Sequence, residues 1–183
     1  MKFGDIQLWT DQMLNGIDFL HSNKPQLIHR DLKPANIFIN SRHLVIGDLG
    51  HAKELLNDVS SGGNSFVSSS NASFGTNNYL APEASDRKRS SKIDIWSFGC
   101  IIYELFKLEK LFNLRNQDKL RMSIIQFDIE KHLLLASNRD KIKAVYLIIL
   151  KKTLAQNPEN RLTARELNQI LDVMCIINLL FIV

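Results

Sequence analysis

The stretch that decides the fold is His29-Arg30-Asp31-Leu32-Lys33-Pro34-Ala35-Asn36, followed directly by Ile37-Phe38-Ile39-Asn40. Its charged part places a carboxylate (Asp31), an ammonium group (Lys33) and an amide (Asn36) close together in the chain. A carboxylate can orient a hydroxyl, a cation can stabilise charge that develops on a phosphate, and an amide oxygen can ligate Mg²⁺. The stretch therefore predicts a site for phosphoryl transfer.

An apolar hairpin is predicted immediately after this loop. Ile37-Phe38-Ile39 and Leu44-Val45-Ile46 are short apolar runs, and Asn40-Ser41-Arg42 between them is typical of a turn. Asp48 follows the second run, as Asn36 precedes the first. The hairpin should bring both residues to one edge, where they offer two hard oxygen ligands of the kind that Mg²⁺ accepts together with phosphate oxygens.

The composition is that of an ordinary globular domain. The chain has 183 residues, of which 45% are hydrophobic and 23% charged, enough for one domain with a proper core. The net charge of +4 does not single out nucleic acid, and we expect no nucleic-acid partner. Cys100 and Cys175 lack the spacing of metal ligands, so nothing demands an oxidising compartment, and we expect a cytoplasmic protein.

Helices account for most of the predicted structure. An amphipathic helix is predicted over 5–22, a helix buried on all sides over 93–106, and weaker helices over 117–127, 140–155 and 163–176. Thr163 and Glu166 form a potential capping box for the last one. Residues 57–74 are rich in Ser, Asn and Gly and predict a mobile surface loop.

The C-terminal run 173–183 is apolar but too short to span a bilayer, so we predict no membrane span. It is interpreted first as the end of a helix that packs on the domain. The alternative is a chain that was cut within or after a domain.

Four further motifs accompany the loop: Asp48-Leu49-Gly50, Ala81-Pro82-Glu83, Asp94-Ile95-Trp96-Ser97-Phe98-Gly99 and Asn157-Pro158-Glu159-Asn160-Arg161. With the loop and in this order, they resemble the motifs of the C-terminal lobe of eukaryotic protein kinases. The resemblance covers residues 1–172 and leaves 173–183 as an apolar tail. It implies a mainly α (α+β) fold, a helical bundle around one buried central helix with a small β-hairpin and an activation segment.

The resemblance assigns catalytic roles to Asp31, Lys33 and Thr76. Asp31 would be the base, or rather the group that orients the substrate hydroxyl, and Lys33 would contact the transferring phosphate. Thr76, in Gly75-Thr76-x-x-Tyr79, would hydrogen-bond to both and help place the acceptor. This form of the motif, with a Lys two residues after the loop Asp, resembles kinases that act on Ser and Thr of protein substrates.

The same resemblance implies ATP and Mg²⁺ as cofactors. Asn36 and Asp48 would hold the metal ion, and both would contact the nucleotide together with Lys33. Phe38 would lie under the adenine.

Structural and regulatory roles are implied for five further residues: His29, Arg30, Glu83, Asp94 and Arg161. Asp94 would hold the loop backbone, His29 would pack in the column that joins the lobes, and Arg161 would pair with Glu83. Arg30 would bind a phosphate on the activation segment, with candidates Ser68, Ser69, Ser70 and Ser73. The alternative is a Ser-rich loop that is never phosphorylated.

Residues 1–183 contain no Gly-rich phosphate loop, strand Lys or helix Glu of an N-terminal lobe. We therefore expect a fragment or truncated gene model, with little activity and no Mg-ATP-dependent thermal shift on its own. The missing N-terminal lobe or a covering partner, even a partner completing the site in trans, should cover Phe38 and Leu49.

Two other functions remain open at this point. One is a pseudokinase-like module that binds a protein partner and transfers nothing. The other is a small-molecule phosphotransferase, which the activation segment and the Ala81-Pro82-Glu83 motif disfavour.

Overall fold

The computed structural model describes residues 3–55, 78–84, 90–134, 142 and 144–180. The predicted loop at 57–74, Thr76, the four candidate serines and the basic run Arg87-Lys88-Arg89 lie outside these residues. The described helices are α1 (Phe3–Ser22), α2 (Lys92–Lys107), α3 (Gln117–Ile125), α4 (Ile129–Leu134), α5 (Ala144–Thr153) and α6 (Ala164–Leu180). The strands are β1 (Gln26–Ile28), β2 (Ile37–Asn40), β3 (His43–Ile46) and β4 (Lys53–Leu55).

The strands form two small antiparallel sheets. β2 pairs with β3 from Ile37 opposite Ile46 to Asn40 opposite His43, and the turn between them contains Ser41 at φ 59°. This is the predicted hairpin. β1 pairs with β4, which the sequence did not predict, and the pairing returns the chain beyond Asp48 to the start of the loop 29–36.

Helix α2 forms the centre of the hydrophobic core. Twelve of its sixteen residues are buried, so the prediction of a helix enclosed on all sides is confirmed. Its neighbours contribute fully buried aliphatic side chains, among them Leu14 and Ile17 of α1, Ile149 of α5 and Leu167 of α6. Trp96 of α2 stacks on Phe112 with ring centroids 6.1 Å apart, which extends the core towards α3.

The other helical predictions hold with shifted ends. The helix predicted over 5–22 begins at Phe3, that over 140–155 is seen at Ala144–Thr153, and α4 was not predicted. The capping box is confirmed, since the Thr163 backbone N–H donates to Glu166 at 2.7 Å and the Glu166 N–H donates to the Thr163 hydroxyl at 3.2 Å. The Thr163 N–H and the Thr163 hydroxyl, which donates to the same carboxylate at 2.8 Å, hold the pKa of Glu166 below its usual range.

Helix α6 continues into the apolar C-terminal segment. The backbone of this segment is helical through Leu180, as the interpretation of a helix end requires. None of the helices in the described ranges is long and apolar enough to cross a bilayer.

Gly99 lets α2 approach the end of α5 closely. A Cβ atom at position 99 would lie 2.9 Å from Leu154 Cδ2 and would also contact the Thr153 hydroxyl. Gly4 in α1 is the opposite case, because nothing lies within 4 Å of a Cβ placed there.

We predict that Gly99→Ala lowers the free energy of unfolding by about 1–3 kcal/mol, because the added methyl overpacks the contact with α5. The matched variant Gly4→Ala should leave stability unchanged or raise it by up to about 1 kcal/mol, since alanine favours a helix. Thermal and denaturant unfolding measure both. Equal effects of the two variants would contradict the packing described here.

Candidate active site

The backbone of the loop 29–36 is held by the side chain of Asp94. The His29 N–H donates to Asp94 Oδ2 and the Arg30 N–H donates to Asp94 Oδ1, both at 2.8 Å. Asp94 lies in the first turn of α2 and is 1% exposed. The contact expected between Asp94 and the loop backbone is therefore present, and it joins the loop to the core helix.

This contact stabilises an unusual backbone conformation at Arg30. Its φ of 71° lies in the left-handed region, which costs a non-glycine residue roughly 1–2 kcal/mol. A carboxylate that accepts from two successive N–H groups can offset that cost, because hydrogen bonds to charged groups are the stronger ones. The turn directs the chain from the buried His29 to the partly exposed Asp31.

A third donor to Asp94 was missed in the sequence. The ring nitrogen Nε2 of His21, in the last turn of α1, lies 2.8 Å from Asp94 Oδ2. The contact joins α1, α2 and the loop 29–36 at one carboxylate. No local pattern reveals it, because the two residues are 73 positions apart in the chain.

His29 is fully buried, and its ring nitrogen Nε2 lies 2.9 Å from the Gly47 carbonyl oxygen. The ring thereby links the loop 29–36 to Gly47, the residue before Asp48. This position fits a packed, hydrogen-bonded core histidine better than a catalyst.

Asp31, Lys33 and Asn36 meet in direct contact. Lys33 Nζ lies 2.6 Å from Asp31 Oδ2, and the Asn36 amide donates to the same oxygen at 3.1 Å and to the Asp31 carbonyl at 2.8 Å. The Lys33 ammonium and the Asn36 amide, both bound to this one oxygen, fix the orientation of the Asp31 carboxylate. The three groups proposed from the sequence for phosphoryl transfer thus form one cluster.

The chemistry of Asn36 and Asp48 fits Mg²⁺. The amide nitrogen of Asn36 is occupied by Asp31, so its oxygen is the atom that can ligate a metal. Asp48 adopts a left-handed conformation at φ 59° and ψ 64° just past the hairpin, and the Gly47 N–H donates to the Asn36 carbonyl at 2.9 Å. The two residues therefore lie at the same end of the hairpin.

No cluster of three or more His, Cys, Asp or Glu suited to a metal ion occurs among the residues that the structure describes. Two protein oxygen ligands are nonetheless a normal set for Mg²⁺, which keeps several waters and binds substrate phosphates.

Phe38 lies on the outer face of the hairpin, opposite Val45, and 57% of it is exposed. A Cβ at position 47 would lie 2.5 Å from Phe38 Cε2, so the glycine leaves room for the ring in this position. Leu49 beyond it is 50% exposed. Phe38, Val45 and Leu49 thus expose apolar side chains on and just beyond the hairpin that ends at Asn36 and Asp48.

The pair expected between Glu83 and Arg161 is present. Arg161 is 1% exposed and uses all five of its N–H donors. Two go to the Glu83 carboxylate at 2.5 and 2.9 Å, and the other three go to the carbonyl oxygens of Ala155, Lys92 and Gln156. Its guanidinium carbon also lies 4.9 Å from the centre of the Trp96 ring.

Tyr79 attaches the segment 78–84 to α2. Its carbonyl accepts from the Ser97 hydroxyl at 2.7 Å, and its own hydroxyl donates to Glu104 at 2.5 Å. Burial and the Glu104 carboxylate raise the pKa of Tyr79. The expected contacts of Thr76 with Asp31 and Lys33 lie outside the described residues.

Comparison with known proteins identifies the family. Residues 1–171 match the sequence model of the protein kinase domain family. The chain belongs to the protein kinase domain family. The kinase-like fold is thus shown, and it is mostly helical with small sheets, as predicted.

Similar kinases come from distant organisms. The serine/threonine-protein kinase PLK1 of Xenopus laevis is 32% identical over 167 residues, which cover 89% of this chain and 25% of that protein. Nek3 of Oryza sativa subsp. japonica is 31% identical over 162 residues, 87% of this kinase chain and 25% of that protein. The serine/threonine-protein kinase nekl-2 of Caenorhabditis elegans is 38% identical over 107 residues, 57% of this chain and 28% of that protein. The kinase chain therefore spans only about a quarter of these relatives.

We predict that Arg161→Lys in the kinase lowers the free energy of unfolding by about 2–4 kcal/mol, because an ammonium group cannot replace five N–H donors and leaves buried acceptors unpaired. Arg165→Lys is the matched control. Arg165 contacts Asp18 at 3.4 Å with its side chain 65% exposed, so its replacement should change stability by less than about 0.5 kcal/mol. Denaturant unfolding decides, and similar losses in both variants would contradict the assigned role of Arg161.

Proposed function

We propose that the protein transfers the γ-phosphate of ATP to a Ser or Thr hydroxyl of a protein substrate. The observation that carries the proposal is the cluster in which Asp31 contacts both Lys33 and Asn36, at the hairpin end that also bears Asp48. Membership of the protein kinase family and the similarity to serine/threonine-protein kinases support the same reaction.

Asp31 accepts a hydrogen bond from the substrate hydroxyl and orients it. The hydroxyl oxygen forms a bond to the γ-phosphorus while the bond from that phosphorus to the β–γ bridging oxygen breaks. ADP leaves with the bridging oxygen, and the hydroxyl proton passes to Asp31. Because the transition state is loose, positioning contributes more than full deprotonation of the nucleophile.

Lys33 has the position and charge to stabilise the phosphate during transfer. It is bound to Asp31 at 2.6 Å, and its side chain is 34% exposed, so it is accessible from the site. An ammonium group so close to the orienting carboxylate can stabilise the negative charge that develops on the oxygens of the transferring phosphate. Thr76 is proposed to help place the acceptor hydroxyl next to these two groups.

Asn36 and Asp48 are proposed to hold Mg²⁺, each with an oxygen atom. When bound, the ion neutralises charge on the nucleotide phosphates. Asn36 has a second task, because its amide nitrogen holds the Asp31 carboxylate. A change in the position of Asn36 would therefore alter both the metal site and the orienting group.

The apolar surface formed by Phe38, Val45 and Leu49 is proposed to lie under the adenine and an N-terminal lobe or covering partner. All three side chains are at least half exposed, and such a patch beside a polar site is typical of a binding surface. That residues 1–183 have little activity alone stays a prediction.

We predict that Asp31→Asn lowers kcat for phosphate transfer to a Ser/Thr peptide by about 10²–10⁴-fold, because the amide cannot take the hydroxyl proton. The KM for ATP should change little. Transfer of ³²P from ATP by the complete natural protein measures this. Asp118→Asn, which makes the same change on the exposed N-terminal turn of α3, should leave the rate unchanged.

Equal activity of the Asp31→Asn variant and the unaltered protein would show that Asp31 is not the orienting group. An unaltered protein that transfers no phosphate would overturn the proposed reaction in favour of a binding module.

A further inference from the structure

The hairpin that carries the proposed metal site has little support of its own. β2 and β3 are four residues each, and Phe38, Ile39 and Val45 are about half exposed. An isolated two-stranded hairpin is only marginally stable in water. Asn36 and Asp48 lie at its end, so their relative position depends on what fixes the hairpin to the rest of the domain.

Gln12 of α1 makes that attachment with both ends of its side-chain amide. The Leu44 N–H donates to Gln12 Oε1 at 2.6 Å, and Gln12 Nε2 donates to the Arg42 carbonyl at 2.9 Å. Leu44 pairs with Ile39 in the ladder. In an antiparallel pair, alternate residues direct their polar groups away from the partner strand, and the glutamine amide binds this outer edge at Leu44 of β3 and the preceding turn at Arg42.

One helical turn further on, α1 packs against the same strand. A Cβ at Gly16 would lie 2.9 Å from Ile46 Cδ1, so the missing side chain lets Ile46 lie against the helix. Positions 12 and 16 are on one face of α1, since residues four apart are neighbours. Ile46 is followed by Gly47 and Asp48, so this contact with α1 lies two residues before the proposed metal ligand Asp48.

We propose that Gln12 is a positioning residue for the metal and nucleotide site. It touches neither group, and acts by fixing the edge of β3 and thereby the distance between Asp48 and Asn36. The inference rests on the proposed function, because it assumes that these two residues hold Mg²⁺ with ATP. It adds a residue that no motif of the sequence contains.

The test replaces Gln12 in the complete natural protein with Met, which has a similar length and no hydrogen-bonding amide, or with Glu, which keeps an acceptor for Leu44. Asn15→Met is the matched control, because Asn15 lies on the same helix but bonds to Asp11 and Asn168, away from the hairpin. Amide hydrogen exchange of Leu44 reports the attachment. Titration of Mg²⁺ in the presence of a non-hydrolysable ATP analogue reports the site.

For Gln12→Met we expect at least about fivefold faster exchange of Leu44, the effect of losing one ordinary hydrogen bond, and a similar loss of apparent Mg²⁺ affinity. Gln12→Glu should keep most of the Leu44 protection and lose less Mg²⁺ affinity than the Met variant. The KM for the peptide substrate should not change, and Asn15→Met should match the unaltered protein in both measurements.

Faster exchange without a change in Mg²⁺ affinity would make Gln12 merely structural and overturn the inference, as would no change in either measurement. Neither measurement requires turnover. If the unaltered protein bound no Mg²⁺ with the analogue, the proposed function would fail and the inference with it, whereas normal binding with no effect of Gln12→Met would refute the inference alone.

Discussion

The buried carboxylate of Asp94 is the constraint on which the rest of the site depends. A charge that is 1% exposed is costly unless it is fully hydrogen-bonded, and here the His29 and Arg30 N–H groups and the His21 ring surround it. Its place in the first turn of α2 adds the positive end of the helix dipole. Because Asp94 and these partners belong to three segments, the full set of hydrogen bonds forms only when α1, α2 and the loop are assembled together.

Helix α2 also holds the segment 78–84 in place. Ser97 and Glu104 hold Tyr79, and the backbone of Lys92 accepts from Arg161, which in turn holds Glu83. The loop with Asp31 and the segment that ends at Glu83 are thus attached to one rigid, buried helix. Preorganisation of this kind suits a reaction in which catalysis depends on placing groups that already carry the right charge.

The parts of the fold that could be predicted are those with a local signal. The hairpin has two apolar runs and a turn, α2 has an uninterrupted apolar sequence, and Thr163 with Glu166 forms a cap within four residues. The strands Gln26–Ile28 and Lys53–Leu55 were missed because three residues carry no periodicity and their pairing is distant. The short helix Ile129–Leu134 was missed for the same lack of length.

The residues of the candidate site also differ in whether the sequence alone reveals them. Asp31, Lys33 and Asn36 were found because their chemistry is contained in one continuous loop. His21 and Gln12 could not be found, because each is an ordinary polar residue on an amphipathic helix until the fold brings Asp94 or Leu44 to it. Residues whose role is to position others are defined by distant contacts, and a single sequence does not display those.

The most direct test of the role of Asp94 is amide hydrogen exchange at His29 and Arg30 in an Asp94→Asn variant of the complete natural protein. An amide is neutral and has one acceptor oxygen in place of two, so one of the two N–H groups loses its acceptor and the other keeps only a weaker hydrogen bond. The N–H that faces the amide nitrogen should exchange about 10–100-fold faster, as expected for losing a hydrogen bond to a charged group, and the other by a smaller factor. Asp128→Asn, whose carboxylate accepts from the Glu130 and Lys131 N–H groups, should affect only α4. Unchanged protection of His29 and Arg30 in Asp94→Asn would contradict the claim that this carboxylate holds the loop.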